Sequence, residues 1–324
     1  MKYASIDIGT NSTRLLVAGC GPSSTETLSR MMRITRLGEG VDKNKELTGT
    51  AMERTLGALL EYRGVIDSHT PAATRAVATS ALRDTTNGWQ FLEMAEEVLG
   101  VRPEVISGAE EAALSYTGAV CDLEKSERDP KGLLVFDIGG GSTEVMTASG
   151  PPALPIGEGG WLLSRSIDVG CVRMSERFLT MDPPSPIAIG RMESYLITKL
   201  KPAIRYVAPQ GVARAVGLAG TVTTLSAMKL ELKEYDTDRI HHSRLTRSDV
   251  EDMFRKLAAA GLEERKQIMG IEPGRADVIV GGAAVLRAIM DIAGLEELQV
   301  SEKDILDGIV LDLDARGVGT GSED

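Results

Sequence analysis

Two segments of this chain combine the residue types that bind phosphate groups and metal ions. Residues 7–14 read DIGTNSTR, and residues 137–144 repeat them as DIGGGSTE, with five of eight positions identical. An apolar run that predicts a strand precedes each copy. Glycine lets backbone N–H groups approach an oxyanion, and aspartate can hold a metal ion or a water molecule. The repeat predicts two similarly folded halves that bind one phosphorylated ligand.

The two turns, and a third glycine turn after the apolar run 213–218, are predicted to contact phosphate. The predicted phosphate-binding residues are Gly9, Thr10, Asn11, Ser12, Arg14, Gly139, Gly140, Gly141, Ser142, Gly220 and Thr221. Three consecutive glycines would weaken a purely structural hairpin by about 0.5–1 kcal/mol each, which favours a ligand-binding role for 139–141. The alternative for each turn is a strand connection without a ligand.

Three acidic residues in these segments, Asp7, Asp137 and Glu144, are candidate magnesium or water ligands. Magnesium prefers one or two carboxylates together with water and substrate phosphate oxygens, which two aspartate-bearing turns could provide. The alternative for the aspartates is a local Asx turn that binds the glycine N–H groups.

Composition excludes several classes of protein. The 324 residues carry a net charge of −11, from 36 Lys plus Arg and 47 Asp plus Glu, which disfavours binding to nucleic acids or membrane surfaces. The length suits two domains. The motif strand begins at Tyr3, which predicts no signal peptide. An odd set of three cysteines without a CxxC pair predicts a reduced, cytoplasmic protein, and the three histidines show no zinc-site spacing.

The pattern of apolar residues places these motifs on alternating strands and helices. Strands are predicted at 3–8, 13–18, 72–79, 104–106 and 213–218, and a strand–turn–strand unit at 133–147. Ser107 and Glu110 have the spacing of a capping box that opens a helix at 109–120. Another helix is predicted at about Val222–Lys229, with its N-terminus at the third glycine turn.

Together these motifs resemble the exopolyphosphatase / guanosine pentaphosphate phosphatase (Ppx/GppA) family, within the actin–Hsp70–sugar kinase superfamily. The matching segments are SIDIGTNSTRLLV (5–17), RLGEGV (36–41), AVATSALRD (76–84), EVISGAEEA (104–112), LLVFDIGGGSTEV (133–145), DVGCVR (168–173), GLAGTVTTL (217–225), the pair Tyr235-Asp236 and RADVIVGG (275–282). The set in this order is specific to the family, whereas glycine turns alone indicate only the superfamily.

The resemblance implies an α/β protein with two ribonuclease H-like (actin-like ATPase) domains facing an interdomain cleft. We expect the first domain at 1–128 and the second at 129–303, with a final helix at about 304–318 packing back on the first. The second glutamate of the SGAEEA segment, Glu111, takes the place of the family's general base, and Arg83 that of its active-site arginine. A salt bridge with Asp84 or another nearby acid is the alternative for Arg83.

The reaction implied is hydrolysis of a terminal phosphoanhydride with Mg²⁺, on inorganic polyphosphate or guanosine pentaphosphate. Longer relatives carry additional C-terminal helical domains, so their absence from this sequence favours short polyphosphate chains. The resemblance also suggests a homodimer, which the residues do not show. A kinase, a nucleotide-switched chaperone and a filament protein of the same superfamily remain alternatives, and the SGAEEA segment argues against a kinase.

Overall fold

The computed structural model of the chain describes residues 1–21, 25–124, 129, 131–156 and 161–317. They form two compact units. The first unit comprises Met1–Cys121 and the described parts of Pro152–Gly160 and Asp304–Asp324, and the second comprises Asp122–Pro151 and Trp161–Lys303. Within the described ranges, no helix has the length and apolar character that crossing a bilayer requires. The expected domain boundary at 128/129 stays a prediction, because residues 125–128 lie outside the description.

Strands and helices alternate along the chain. Up to residue 121 the elements are β1 (Lys2–Ile8), β2 (Ser12–Cys20), β3 (Thr25–Ile34), α1 (Val41–Asn44), α2 (Gly49–His69), β4 (Ala73–Ala78), α3 (Ser80–Arg83), α4 (Gly88–Leu99), β5 (Glu104–Val105) and α5 (Gly108–Val120). The next are β6 (Leu133–Ile138), β7 (Thr143–Ala148), β8 (Leu162–Ile167), α6 (Cys171–Phe178), α7 (Pro186–Val207), β9 (Arg214–Leu218), α8 (Ala219–Lys229), α9 (Thr237–Ile240) and β10 (Arg244–Thr246). The last are α10 (Arg247–Ala259), α11 (Leu262–Arg265), a 3₁₀ turn (Pro273–Arg275), α12 (Ile279–Ala293), β11 (Glu297–Val300) and α13 (Ile305–Ala315).

The first unit contains a five-stranded sheet with helices on both faces. Its strand order is β3-β2-β1-β4-β5, and β1, β4 and β5 are parallel. Side chains alternate across a strand. Ile6 and Ile8 therefore join the core beneath α2 and α4, whereas Tyr3 joins the core on the opposite face, beneath α13. Burial of both faces explains why β1 is an almost continuous apolar run.

The second unit repeats this topology. Its sheet has the order β10-β11-β9-β6-β7-β8, so that β8-β7-β6-β9-β11 corresponds to β3-β2-β1-β4-β5, with β10 added as an antiparallel edge strand. Its core includes residues of α7, α8, α10 and α12 packed around apolar residues of the sheet such as Phe136. The two similarly folded halves predicted from the repeated segment are therefore confirmed.

Parallel strands bring the predicted site residues to one edge of each sheet. In the first unit Ile8 pairs with Ala78 and Ala78 with Val105, so β1, β4 and β5 end side by side. Their following segments carry the first glycine turn, Arg83 and Glu111. Ligands of open α/β sheets bind at this carboxyl edge of the strands.

Helices α5 and α13 pack closely in the first unit because each has a glycine where it meets the backbone of the other. A Cβ at Gly118 of α5 would lie 1.8 Å from the carbonyl oxygen of Asp304. A Cβ at Gly308 of α13 would lie 2.0 Å from the carbonyl oxygen of Leu114. Any larger residue at either position would push the helix that carries Glu111 away from α13.

Candidate active site

The turn between β1 and β2 is closed by a backbone hydrogen bond and is linked to α3 by a side chain. The N–H of Gly9 donates to the carbonyl of Ser12 at 3.0 Å, and a Cβ at Gly9 would lie only 2.9 Å from that oxygen. Thr10 Oγ1 lies 2.8 Å from Ser80 Oγ at the start of α3. Within the described part of the chain, the amide oxygen and nitrogen of the buried Asn11 side chain have no hydrogen-bond partner. Buried amides are normally hydrogen-bonded, so Asn11 is suited to a ligand.

Asp7 and Arg14 form an ion pair beneath this turn. They are directly opposed on β1 and β2, and Arg14 Nη2 lies 2.6 Å from Asp7 Oδ2. Arg14 also donates to the buried Asp304 at the start of α13. The other oxygen of Asp7, Oδ1, is buried and forms no hydrogen bond with any residue that the structure describes. Burial raises the pKa of Asp7, although Arg14 opposes this effect.

Arg14 was predicted to bind phosphate, and the structure gives it two carboxylate partners within its own unit. These contacts make it an internal counter-ion of Asp7 and Asp304. Its predicted contact with phosphate stays a prediction. Asp7 keeps one oxygen that could bind a cation or a water molecule.

Glu111 and Arg83 contact each other directly. Arg83 Nη1 lies 2.7 Å from Glu111 Oε2 and donates to the carbonyl of Ile106 at 3.0 Å. Glu111 is only 8% exposed, so its carboxylate needs such a partner. The alternative for Arg83, a salt bridge with Asp84 or another nearby acid, is therefore observed, with Glu111 as the acid. The pair holds a carboxylate in a fixed orientation near the first turn.

The predicted capping box at the start of α5 is only half formed. Ser107 Oγ accepts the N–H of Glu110 at 3.2 Å, as expected for an N-cap. The side chain of Glu110 does not turn back to the N–H of Ser107 and instead accepts from Arg75 Nη2 at 2.6 Å. An arginine on the neighbouring strand therefore replaces the local contact.

The turn between β6 and β7 has the same closing hydrogen bond as the first turn. Gly139 N–H donates to the carbonyl of Ser142 at 3.0 Å. Its own carbonyls point towards α6. The Gly139 carbonyl accepts from the N–H of Cys171 at 2.9 Å, and the Gly140 carbonyl accepts from the N–H groups of Val172 and Arg173. The Gly141 carbonyl accepts from Arg173 Nε at 2.7 Å. These contacts leave the N–H groups of Gly140, Gly141 and Ser142 without a backbone acceptor among the described residues, as a phosphate-binding turn requires.

Asp137 and Glu144 are a buried pair of acids on the two strands of this hairpin, close to the turn. They are directly opposed on β6 and β7, and both are less than 9% exposed. Glu144 Oε1 accepts from Ser166 Oγ at 2.6 Å. Like charges opposite each other on neighbouring strands destabilise a sheet. A magnesium ion would relieve this repulsion, and its preference for carboxylate oxygens fits the pair.

The third turn differs from its prediction in one respect. α8 begins at Ala219, three residues earlier than expected, so Gly220 and Thr221 lie inside its first turn. Ala219 has a φ of 65°, a strained value for a residue with a side chain. A Cβ at Gly220 would lie 1.8 Å from Arg275 Nη1, so the guanidinium packs directly on the glycine.

Arg173 and Arg275 are the functional candidates that the sequence did not single out. Both lie in segments that match the family, DVGCVR and RADVIVGG, yet neither spacing assigned them a partner. Arg173 is 7% exposed and supports the second turn, and Arg275 packs on the third. An arginine packed against a glycine turn is the signal that could have identified them, but these contacts join residues distant in sequence.

One other cluster has the composition of a metal site, namely Asp122, His241 and His242. His241 Nδ1 accepts the N–H of Glu302 at 3.2 Å, so Nε2 carries the proton and donates to Asp122 Oδ2 at 2.8 Å. The ammonium of Lys303 lies 3.1 Å from the same carboxylate oxygen. The hydrogen bond and the ammonium both engage Asp122 Oδ2, whereas Asp122 Oδ1 is buried without a hydrogen-bond partner among the described residues. The histidine tautomer opposes metal binding through Nε2 of His241.

The chain is similar to known proteins over nearly its whole length. The model of the Ppx/GppA phosphatase family matches residues 16–316. Exopolyphosphatase 2 of Mycobacterium tuberculosis is 41% identical over 326 aligned positions, covering 96% of this chain and 98% of that protein. The crystal structure of an exopolyphosphatase-like protein covers 98% of this chain and 99% of its own, with a TM-score of 0.89 and 36% identity.

A second solved structure, the Aquifex aeolicus member of the Ppx/GppA family, covers 98% of both chains with a TM-score of 0.78 and 30% identity. The family model includes the second glycine turn and the segment that carries Glu111. The relative and the two solved structures match over nearly the whole chain. The resemblance inferred from the motifs is therefore confirmed. The chain belongs to the Ppx/GppA phosphatase family and has its two-domain, actin-like α/β fold.

Proposed function

We propose that this chain is an exopolyphosphatase that hydrolyses the terminal phosphoanhydride of inorganic polyphosphate and releases orthophosphate. The observation that carries the proposal is the buried Glu111 carboxylate, which Arg83 holds at 2.7 Å at the carboxyl edge of the first sheet. The name of the Mycobacterium tuberculosis relative, Exopolyphosphatase 2, supports this choice of substrate.

Phosphoryl transfer needs a positioned nucleophile and stabilisation of charge more than covalent chemistry by the protein. In the proposed reaction Glu111 accepts a proton from water as the water oxygen attacks the terminal phosphorus. The bond between that phosphorus and the bridging oxygen breaks, and the shortened polyphosphate leaves with the electron pair. Arg83 keeps the Glu111 carboxylate oriented, and a general base of this kind contributes about 10²–10⁴ to the rate.

The turn at 139–142 supplies the phosphate-binding part of the proposal. Its carbonyls are bound to α6 and Arg173, which turns successive N–H groups towards an anion. We assign Gly9, Thr10, Asn11 and Ser12 the same role in the first turn, supported by the shared closing hydrogen bond of 3.0 Å. Gly220 and Thr221, beside Arg275, complete the proposed phosphate contacts.

Asp137 and Glu144 in the second unit, and Asp7 in the first unit, are the proposed magnesium ligands. The opposed buried acids of β6 and β7, and the Oδ1 atom of Asp7, which has no hydrogen-bond partner among the described residues, fit a hard divalent cation. Bound magnesium would neutralise phosphate charge during the reaction. The free thiols of all three cysteines support a reducing, cytoplasmic setting.

The test of the proposal is to measure orthophosphate release, in the presence of magnesium, from short and long polyphosphate, guanosine pentaphosphate and ATP. Wild-type protein should release phosphate from polyphosphate, and Glu111→Gln should be slower by about 10² or more. A better rate on guanosine pentaphosphate would keep the chemistry and change the substrate. Absence of phosphate release from every substrate, or full activity of Glu111→Gln, would overturn the proposal.

A further inference from the structure

Arg75, on β4, is the centre of a cluster of carboxylates in the first unit. Its Nη2 lies 2.6 Å from Glu110 Oε1 and 2.8 Å from Glu104 Oε2, and its Nη1 lies 3.1 Å from Asp312 Oδ2. The three acids come from three elements, α5, β5 and α13. Arg75 is 11% exposed, so the cluster is more than an ordinary surface ion pair.

Asp312 fixes the direction of the Arg75 side chain. It is fully buried in α13 and accepts from three groups in all, namely Arg75, Arg316 Nε at 2.8 Å and the N–H of Ile156 at 2.7 Å. A buried carboxylate with this many partners cannot rotate without losing them. One side of the Arg75 guanidinium is therefore anchored, and the other side points to Glu104 and Glu110.

Glu110 connects this cluster to the proposed general base. Glu110 and Glu111 are consecutive residues in the first turn of α5. Arg75 binds the first of them and Arg83 binds the second. Both arginines belong to the segment formed by β4 and α3, so one segment holds two successive glutamates of one helix. Because Glu110 accepts from Arg75, its side chain does not complete the capping box at Ser107.

We infer that Arg75 is a positioning residue for Glu111, acting through Glu110 and the first turn of α5. This inference rests on the proposed function, because it concerns the base of that reaction. Arg75 sets the place of the helix start, and Arg83 sets the orientation of the carboxylate. Asp312 contributes by holding Arg75 in the direction of Glu110.

A displaced general base lowers the rate more than it lowers substrate binding. A misplacement of about 1 Å can cost about 10² in rate even when the substituted residue is remote from the chemistry. Loss of the Arg75–Glu110 contact releases the helix start while Arg83 still holds Glu111, so a smaller loss of about 10-fold in kcat is expected. KM should stay unchanged, because no substrate contact is assigned to Arg75 or Glu110.

Two isosteric variants separate positioning from simple stabilisation. Glu110→Gln removes the negative charge that α5 presents to Arg75. Glu104→Gln removes the negative charge that β5 presents to the same guanidinium. Both side chains are partly exposed, at 35% and 55%, so both variants should fold. Arg75→Gln and Arg75→Lys complete the set, and thermal unfolding of each protein reports its stability. Glu111→Gln is the reference for loss of the base.

Glu110→Gln and Arg75→Gln should lower kcat about 10-fold at constant KM, Arg75→Lys should recover most of the loss, and Glu104→Gln should stay within about 2-fold of wild type. Wild-type kcat in Glu110→Gln would overturn the inference, as would an equal loss in Glu104→Gln. If Arg75→Gln does not fold, the comparison of kcat between Glu110→Gln and Glu104→Gln still tests the inference. Failure of the proposed function is distinguishable, since wild-type protein would then release no phosphate.

Discussion

The guanidinium of Arg83 lies 2.7 Å from the carboxylate of Glu111, and the two residues come from different helices of the first unit. Arg83 also donates to the carbonyl of Ile106, which lies just before the helix of Glu111. The arginine therefore binds both the proposed base and the backbone that leads to it. Residues joined in this way should act as one unit in catalysis.

The first prediction is that loss of Arg83 and loss of Glu111 are not additive. Glu111→Gln should lower kcat by about 10² or more, and Arg83→Met by about 10², because Met leaves the buried Glu111 without its ion-pair partner. The double variant should be little slower than Glu111→Gln. Single-turnover phosphate release from all four proteins measures the coupling, with the exposed Glu97→Gln as a control. Losses that multiply would show that the two residues act independently.

The topology, and the positions of several candidate residues in the first unit, could be predicted from the sequence because they depend on local patterns. The repeat of residues 7–14 at 137–144 predicted two equivalent hairpins, and both share the closing hydrogen bond between a glycine and a serine. The order of strands places the segment after β4 beside the segment after β5, although 28 residues separate Arg83 from Glu111.

Contacts between distant elements could not be predicted. Ser107 and Glu110 have the spacing of a capping box, yet Arg75 competes for Glu110 because a charged partner makes a stronger hydrogen bond than a backbone N–H. Arg14 likewise finds Asp304, 290 residues away in the chain. No periodicity or spacing encodes these pairs, since they depend on how α5 and α13 pack against the sheet.

The second prediction concerns the opposed acids Asp137 and Glu144. Glu144→Gln keeps an acceptor for Ser166 and removes one of two like charges, so the variant without metal should gain up to about 1 kcal/mol of stability. Added magnesium should raise the Tm of wild-type protein and should have a much smaller effect on Glu144→Gln. Calorimetry with and without magnesium measures both effects. An equal magnesium response in the two proteins would exclude Glu144 as a ligand.

The third prediction concerns Gly170, which lies against the second glycine turn. A Cβ at this position would lie 2.4 Å from the carbonyl oxygen of Gly140, so Gly170→Ala must displace the turn or the start of α6. We expect a loss of about 1–3 kcal/mol in the free energy of unfolding and a raised KM. Gly190→Ala in α7 is the matched control, because its Cβ would meet nothing within 4 Å. Urea unfolding and phosphate-release kinetics measure the two effects, and equal behaviour of the two alanine variants would contradict the expected clash.

The last prediction concerns the dependence of stability on pH. Burial alone would raise the pKa of Asp122, but the hydrogen bond from His241 and the charge of Lys303 outweigh it and hold the pKa below the ordinary value of 3.8. A carboxyl group with a lowered pKa in the folded state stabilises the fold above its unfolded pKa, and this stability is lost as the pH falls. Asp122→Asn should therefore be less stable than wild type at pH 7, and the difference should shrink below about pH 5. Urea unfolding of both proteins between pH 7 and pH 3 measures this, with the exposed Asp252→Asn as a control. A difference that stays constant over this range would show that the Asp122 contacts stabilise the fold without depending on its charge.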